Sequence, residues 1–208
     1  MNLKTEKKLW KQGYKIIAGI DEAGRGPLAG PVVASAVVIL SDNFNKNILK
    51  LINDSKQLSK KQREQAFEAI KAEPNIYFGI GKVSEKIIDK INIWQATKLA
   101  MKKAIDDLIK KTVQNPDFLI LDGKHKIDVK IKQDAVIKAD AKIFSCSAAS
   151  IIAKVTRDKI MDGLHKKYPQ YGFDKHKGYG TKEHFKMIKK YGPCKIHRQT
   201  FAPIKNMI

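Results

Sequence analysis

The chain has 208 residues, a formal net charge of +20, 43% hydrophobic residues and 30% charged ones, a composition that indicates a folded globular domain and excludes a disordered chain. Its longest apolar run, at residues 31–40, is far shorter than the roughly 20 residues of a membrane span, and residues 1–15 lack a signal-peptide core, so we expect a cytoplasmic protein with no membrane partner. The excess of positive charge favours a polyanionic partner such as nucleic acid, although a lysine-rich codon bias would produce the same excess.

Strands and helices are predicted from the spacing of apolar residues. β-Branched residues bounded by glycine and proline predict strands, and apolar residues at three- and four-residue steps predict helices. Ser59 and Asn92 are favourable N-caps for two of these helices. In chain order, the elements up to residue 112 are strands at 14–20 and 32–40, a helix at 59–72, a strand at 74–84 and a helix at 93–111.

The second half of the chain continues this alternation. It predicts, in order, a buried strand at 116–123, a short strand at 134–141, a long helix at 147–168 and a last helix at 181–192. Alternating strands and helices indicate an α/β fold, and the two early strands separated by a turn favour a mixed sheet over a parallel one. Because no linker or repeat divides the sequence, we predict a single domain at 1–208, with 181–208 as a C-terminal helical appendage.

Carboxylates follow three of the predicted strands: Asp21 with Glu22, then Asp122, then Asp140. Groups at the strand ends of an α/β sheet collect along one edge, where four carboxylates would repel each other unless cations joined them. Oxygen-only ligands suit Mg²⁺ or Mn²⁺, and two such ions about 3.5–4 Å apart serve phosphoryl chemistry. Two alternatives stay open: a lone aspartate after a strand is often a turn residue, and the adjacent Asp21 and Glu22 would face opposite sides of a regular strand.

Three further segments suit a nucleic-acid ligand. Gly24 and Gly26 free the backbone around Arg25, so that amides and guanidinium can approach a phosphate or sugar closely. Lys56 lies beside a predicted helix start, and Tyr179 lies between glycines on a basic loop as a stacking platform. Each has an ordinary alternative: a glycine-rich turn, a solvated capping segment and a core anchor, respectively.

The histidines and cysteines indicate no catalytic or metal site. The five histidines show no pairing in the sequence, which favours surface or structural roles, with His176 the one expected to touch nucleic acid. Cys194 and His197 lack a second pair at zinc-binding spacing, and Cys146 and Cys194 predict free thiols. Arginine is rare among the 41 basic residues, so each arginine indicates a position that needs a planar guanidinium group, which donates several hydrogen bonds, and not only a positive charge.

Taken together, the motifs resemble one family, bacterial ribonuclease HII, the type 2 ribonuclease H. The matching segments follow the family's order from residue 16 to 203 and read GIDEAGRGPLAGPVVASAVV, NDSKQLS, DFLILDG, IKADAKIFSCSAASIIAKVTRD, YPQYGFDKHKGYGTKEH and YGPCKIHRQTFAP. One departure is Ala139, which precedes Asp140 where the family has glycine. A methyl group fits there if the backbone φ angle is negative.

The resemblance implies an α/β, ribonuclease H-like fold with a mixed central β-sheet flanked by helices and a C-terminal helical extension. It implies an endoribonuclease that hydrolyses the RNA strand of RNA–DNA hybrids and cleaves 5′ to ribonucleotides embedded in duplex DNA. Two divalent ions, Mg²⁺ or Mn²⁺, would serve the reaction, which leaves 5′-phosphate and 3′-OH ends and belongs to DNA replication and repair. We expect a monomer, because no apolar stripe remains for an interface.

The resemblance also implies roles for individual residues. The catalytic and metal-binding carboxylates are Asp21, Glu22, Asp122 and Asp140. The substrate-binding residues are Gly24, Arg25, Gly26, Lys56, Ser147, Ser150, Lys154 and Tyr179. In the family, the glycine–arginine–glycine tripeptide contacts the 2′-OH and the neighbouring phosphate, and the tyrosine stacks on the deoxyribose after the RNA-to-DNA junction. A non-catalytic RNA-binding protein is the rival hypothesis, and it leaves the carboxylates unexplained.

Overall fold

The structure, a computed structural model, describes residues 1–41, 43, 45, 47–52, 57–112 and 114–207. Lys56, one of the predicted substrate-binding residues, lies outside these described residues. Over the described ranges, no helix has both the length and the apolar character that a membrane crossing requires.

The described residues form one five-stranded sheet with the strand order β3-β2-β1-β4-β5. The strands are β1 (Ile17–Ala23), β2 (Val32–Ile39), β3 (Ile76–Val83), β4 (Phe118–Asp122) and β5 (Lys132–Val136). The first three pair in antiparallel fashion, whereas β4 joins β1 and β5 joins β4 in parallel. Every residue of β2 is buried, as expected for a central strand covered on both faces. The predicted mixed α/β sheet is therefore confirmed.

Helices cover both faces of this sheet. In chain order they are α1 (Lys4–Lys11), α2 (Ile48–Leu51), α3 (Lys60–Ala72), α4 (Glu85–Thr112), α5 (Phe144–Lys167), α6 (Phe173–His176) and α7 (Lys182–Tyr191), with short 3-10 turns at Ala139–Ala141, Pro169–Tyr171 and Ile204–Asn206. Ala36 and Val38 pack with α4, and the intervening Val37 packs with α5. Alternate residues of β2 therefore belong to the two hydrophobic cores on opposite faces of the sheet.

Glycine lets the two long helices approach the sheet closely. A Cβ atom at Gly19 in β1 would lie 2.4 Å from the carbonyl carbon of Ser145 in α5. A Cβ atom at Gly81 in β3 would lie 1.9 Å from the carbonyl oxygen of Ala100 in α4. Both distances are far below van der Waals contact, so neither position accepts a side chain. The close approach at Gly19 brings the start of α5 against β1.

Both predicted N-caps are present. Ser59 and Gln62 form a capping box, in which Gln62 N–H donates to the Ser59 hydroxyl at 3.3 Å and Ser59 N–H donates to the Gln62 side chain at 2.8 Å. Asn92 accepts hydrogen bonds from the amides of Trp94 and Gln95 at 3.0 and 3.1 Å. Its own backbone, with φ 63° and ψ 164°, interrupts α4. The segment of α4 before Asn92 was missed because it is too short to show a clear apolar period.

The C-terminal residues fold back over the loop between β1 and β2. The Arg198 amide donates to Leu28 O at 2.8 Å, and the Gly30 amide donates to Ile196 O at 2.9 Å. Ile196 and Ile204 share an apolar cluster with Leu28 and with residues of α5, α6 and α7. This extension is helical in α7 and in its last 3-10 turn, and the segment at Ile196–Arg198 contacts the β1–β2 loop.

Candidate active site

Two of the predicted carboxylates lie side by side on neighbouring parallel strands. Ile20 of β1 pairs with Leu121 of β4, so Asp21 and Asp122 are the next residues along each strand at the same edge of the sheet. Asp21 is buried, and its carboxylate accepts a hydrogen bond from the Glu22 amide at 2.8 Å. The predicted convergence of these two strand ends is confirmed.

Asp140 lies close to Asp21 and Asp122, but on a different secondary-structure element from the one predicted. The strand expected in 134–141 is present as β5, but it ends at Val136, so the prediction that Asp140 lies at a strand end is wrong: Asp140 lies on the 3-10 turn Ala139–Ala141. The residue before that turn, Lys138, adopts a left-handed conformation with φ 58°, which turns the chain back toward β4. Ala139 is not among the residues with positive φ, so its methyl group is tolerated, and its amide donates to Asp122 at 2.7 Å.

Asp21, Asp122 and Asp140 form an acidic cluster. One carboxylate oxygen from each lies within 4.8 Å of the others, and no other group of three histidine, cysteine, aspartate or glutamate side chains in the described ranges has this spacing. Asp21 is 5% exposed and Asp140 is 2% exposed. The donors are all carboxylate oxygens, which is the ligand type that Mg²⁺ and Mn²⁺ prefer.

The electrostatics of the cluster fit a cation. Burial raises the pKa of Asp21 well above its ordinary value, and the neighbouring negative charges of Glu22 and Asp122 raise it further. Hydrogen bonds from the Ser150 side chain and the Glu22 amide act in the opposite direction and only partly offset this effect. A divalent ion at this position would relieve the repulsion among the carboxylates, so the residues present fit a bound Mg²⁺ or Mn²⁺.

Glu22 lies beside the acidic cluster rather than within it. The ladder between β1 and β2 continues through Ala23↔Val33, so β1 does not break at Asp21. Adjacent strand residues face opposite sides, and Glu22 accordingly borders a cleft that α4 also lines. Its carboxylate accepts a hydrogen bond from Arg25 at 3.2 Å. At this edge of the sheet Glu22 still lines the same cavity as Asp21, which keeps it near the cluster.

A cavity of about 450 Å³ opens in front of the acidic cluster. The predicted site residues that line it are Asp21, Glu22, Gly24, Arg25, Gly26, Asp122, Ser150, Lys154 and Tyr179. Arg63, from α3, also lines it and was not predicted as a site residue. Ser147 is fully buried in α5 and does not line the cavity, although the sequence predicted it as a substrate-binding residue.

Two buried arginines hold the loop that carries residues 24–26. Arg198 donates to the carbonyl oxygens of Gly24 at 2.6 Å, Arg25 at 2.8 Å and Gly30 at 2.9 and 3.0 Å. Arg157 donates to three further carbonyl oxygens, those of Ala29, Pro31 and Lys177, at 2.9 to 3.1 Å. Both side chains are fully buried. The loop is therefore fixed from behind by two guanidinium groups.

Gly24 is required by this arrangement. Its φ angle is 98°, and a Cβ atom there would lie 2.1 Å from Nε of Arg157. The positioning roles of Arg157 and Arg198 were missed because their partners are distant in sequence; the Arg198–Arg25 bond joins residues 173 positions apart. The rarity of arginine in a lysine-rich chain was the signal that could have found them.

Tyr179 lines the cavity from the loop between α6 and α7. Left-handed backbone at Lys177 and Gly178, with φ 51° and 85°, brings the tyrosine to the surface, where it is 43% exposed. Lys154 Nζ and Arg157 Cζ each lie 5.9 Å from its ring centroid. A half-exposed ring with cations beside it is suited to packing against a sugar or base.

A buried histidine pair, which the sequence did not predict, supports the Tyr179 loop from below. The Cys194 amide donates to His197 Nδ1 at 2.9 Å, and the Nε2 atoms of His197 and His184 lie 3.1 Å apart. His184 Nδ1 lies 2.9 Å from Tyr179 O and donates to it. The chain of bonds requires His197 to donate to His184, with both rings neutral. Burial is the main factor that lowers the pKa of each ring to about 4, which is consistent with this state.

The mixed sheet and its acidic cluster define an α/β, ribonuclease H-like hydrolase. Residues 18–204 match the family described as Ribonuclease HII, and the chain belongs to that family. Ribonuclease HII of Acetivibrio thermocellus is 55% identical over 203 residues, which cover 98% of this chain and 75% of that protein. The corresponding protein of Chlamydia caviae is 48% identical over 203 residues, which cover 98% of this chain and 92% of that protein.

A solved structure of the same class has the same fold. The crystal structure of ribonuclease H2 from Pyrococcus horikoshii OT3 superposes with a TM-score of 0.73 at 29% sequence identity, and the match covers 92% of this chain and 96% of that one. The protein is therefore a ribonuclease H, as the resemblance implied.

Proposed function

We propose that this protein is an endoribonuclease that hydrolyses the RNA strand of RNA–DNA hybrids and cleaves 5′ to ribonucleotides embedded in duplex DNA. The reaction would leave 5′-phosphate and 3′-OH ends, and its role would be the removal of ribonucleotides during DNA replication and repair. The observation that carries the proposal is the acidic cluster, with three carboxylate oxygens within 4.8 Å of one another, two of whose members, Asp21 and Asp122, line one cavity with a glycine-flanked arginine. Membership of the ribonuclease HII family supports the activity class.

Asp21, Asp122 and Asp140, with Glu22 beside them, would hold two divalent ions, Mg²⁺ or Mn²⁺. Such ions supply Lewis-acid activation of water and stabilise charge on the leaving oxygen. The protein's own contribution is to fix the carboxylates before the substrate arrives. The Ser150 side chain and the Glu22 amide hold Asp21, and the Ala139 amide holds Asp122.

Residues 24–26 would distinguish a ribonucleotide from a deoxyribonucleotide. Arg198 engages the carbonyl oxygens of Gly24 and Arg25, so the N–H groups are the backbone groups this loop can offer to a substrate oxygen. The 2′-OH is the group by which a protein tells RNA from DNA at a given nucleotide. Glycine on either side of Arg25 keeps side chains out of the way of that contact.

Tyr179 and the basic residues around the cavity would bind the rest of the strand. The half-exposed tyrosine ring would pack against the deoxyribose that follows the ribonucleotide, and Lys154 beside it would attract the adjacent phosphate. Ser150 would act through its hydrogen bond to Asp21 as well as by lining the cavity. Ser147 is buried and Lys56 lies outside the described residues, so neither carries the proposal.

The test is cleavage of a duplex with a single embedded ribonucleotide, measured with Mg²⁺, with Mn²⁺ and after addition of EDTA. An all-DNA duplex of the same sequence is the matched control. We expect cleavage at the ribonucleotide with either ion, none with EDTA and none of the control. Binding without cleavage under every metal condition would favour a non-catalytic RNA-binding protein. Cleavage that survives EDTA would contradict the metal-dependent mechanism.

Light scattering tests the expected monomer.

A further inference from the structure

We propose that Trp94, together with Lys98 and Lys124, forms a second binding surface for the cleaved strand, on the side of the acidic cluster opposite Tyr179. It would receive the sugar and phosphate of nucleotides 5′ to the scissile bond. This inference rests on the proposed function, because that function places Tyr179 on the 3′ side of the ribonucleotide and the cut on its 5′ side.

The location follows from two adjoining spaces. A narrow cleft shares Glu22, Arg25 and Asp122 with the main cavity and continues past them along α4. Beyond those three residues the cleft is lined by Trp94 and Lys98 of α4 and by the turn after β4. Tyr179, Ser150 and Lys154 line the main cavity and not this cleft. Glu22 and Asp122 therefore line both spaces, with Tyr179 on the main cavity and Trp94 on the cleft, and a strand bound across these two carboxylates would extend toward both rings.

The chemistry of this surface resembles that around Tyr179. The Trp94 ring is half-buried, with Lys98 Nζ 5.2 Å and Arg25 Cζ 5.5 Å from its ring centroid. The exposed His125 packs edge-on against it, at 4.8 Å between ring centroids, and the exposed Lys124 precedes His125. An aromatic ring among cations is the combination that binds a single strand through its sugars and phosphates.

The size of the cleft decides which part of a nucleotide it receives. Its volume is about 30 Å³, far too small for a base to enter. A strand would therefore lie across its rim, with a sugar on the Trp94 ring and a phosphate between Lys98 and Lys124. This contact is independent of base sequence, as suits an enzyme whose specificity comes from the 2′-OH.

The backbone next to Trp94 is consistent with a functional position. Asn92, two residues earlier, has φ 63° and ψ 164°, a conformation that is close to glycine-only. Its side chain accepts hydrogen bonds from the amides of Trp94 and Gln95. Asn92 is therefore the N-cap of the second part of α4, and Trp94 lies in the first turn of that part. Strained backbone of this kind concentrates at binding and catalytic sites.

A kinetic series tests the proposal. The substrate is a duplex with one ribonucleotide, in which the cleaved strand has either a short or a long arm 5′ to the ribonucleotide, while the 3′ arm and the complementary strand stay constant. Trp94→Ala should lower kcat/KM on the long-arm substrate about tenfold, the range for loss of one aromatic stacking contact. The deficit should shrink as the 5′ arm is shortened. Trp94→Phe should recover part of the loss.

Lys98→Ala should show the same dependence on arm length with a smaller effect. Lys102→Ala is its matched control, because Lys102 lies one turn further along α4 and pairs with the exposed Asp128 at 3.5 Å. Melting of each variant by circular dichroism checks the fold. A Trp94→Ala loss that is equal at every arm length would overturn the proposal, since Trp94 would then act only by orienting Arg25. No loss at any length would also overturn it.

Fluorescence gives a readout that does not depend on cleavage. Trp10→Phe leaves Trp94 as the single tryptophan of the chain, which has two. Titration of this variant in EDTA with a duplex carrying the long 5′ arm should change the Trp94 emission, and a duplex without that arm should change it less. Emission that does not respond to the 5′ arm would contradict the proposal. Failure of the wild-type enzyme to cleave any ribonucleotide substrate is a separate result, which would refute the proposed function itself.

Discussion

Arg198→Lys keeps the positive charge under the β1–β2 loop and removes the planar fork that binds it. Burial lowers the pKa of the Arg198 guanidinium to about 9, and the nearby Arg157 contributes to that decrease, so the group remains charged at neutral pH. Lysine is charged at the same pH but has a single ammonium group. The substitution therefore separates the geometry of the donors from the charge.

The magnitude follows from the bonds. Arg198 makes four hydrogen bonds to the carbonyl oxygens of Gly24, Arg25 and Gly30, and its side chain is fully buried. An ammonium group at the end of a lysine can replace one of these contacts well, which leaves two carbonyl oxygens without their charged donor. At roughly 1.5–3 kcal/mol for each such bond, partly recovered by water, we expect a loss of about 3 kcal/mol in the free energy of unfolding.

Urea unfolding of the wild type and of Arg198→Lys measures this loss. Arg25→Lys is the control, because it makes the same exchange on the same loop at a side chain that is 51% exposed, and it should change the unfolding free energy by less than about 0.5 kcal/mol. Arg198→Lys should also reduce cleavage at a single ribonucleotide, since residues 24–26 lose their support. Unchanged stability together with unchanged cleavage would refute the positioning role of Arg198.

The remaining predictions concern the carboxylates, the substrate contacts and the histidine pair. Asp21→Asn or Asp122→Asn should abolish turnover and leave nucleic-acid binding, followed by fluorescence anisotropy, largely intact; activity in both variants would mean that the ligands are assigned wrongly. Arg25→Ala and Tyr179→Ala should lower the rate and the selectivity for RNA–DNA junctions, and unchanged kinetics on DNA–RNA–DNA duplexes would contradict these roles. Burial lowers the pKa of His197 from 6.5 to about 4, so between these pH values the unfolded chain binds a proton that the folded chain does not. The free energy of unfolding should therefore fall as the pH drops from 6.5 to 4, by up to about 3 kcal/mol. His197→Gln should flatten that decline in unfolding experiments at stepped pH, and an unaltered slope would show that the ring does not titrate in this way.

The sequence predicted the part of the site that depends on strand ends. Asp21 and Asp122 each follow a buried apolar run, and parallel pairing of those two strands brings them together. The alternation of side chains along a strand left open whether Glu22 shares the site of Asp21, and the uninterrupted ladder of β1 places it beside the acidic cluster, still in the same cavity. Local periodicity was sufficient for these residues because neighbouring strands fix their positions.

The rest of the site depends on turns and long-range contacts that no local pattern contains. Asp140 reaches the acidic cluster through a 3-10 turn that follows a left-handed lysine, a conformation that residue type alone does not indicate. Arg157 and Arg198 bind backbone carbonyl oxygens of residues that are far away in the chain. Because every residue has a carbonyl oxygen, the sequence does not indicate which of them an arginine will bind. His184 and His197 meet across 13 residues because α7 and the C-terminal segment pack against each other.

The central claim is that the acidic cluster cuts the strand on the 5′ side of a ribonucleotide through an activated water molecule. The measurement that tests it most directly is the chemical identity of the product ends from a single-ribonucleotide duplex, for the wild type and for Asp122→Asn in Mg²⁺. We predict a 5′-phosphate on the ribonucleotide and a 3′-OH on the upstream DNA from the wild type, and no product from the variant. A cyclic phosphate or a 3′-phosphate at the cut, or equal products from the variant, would contradict the account.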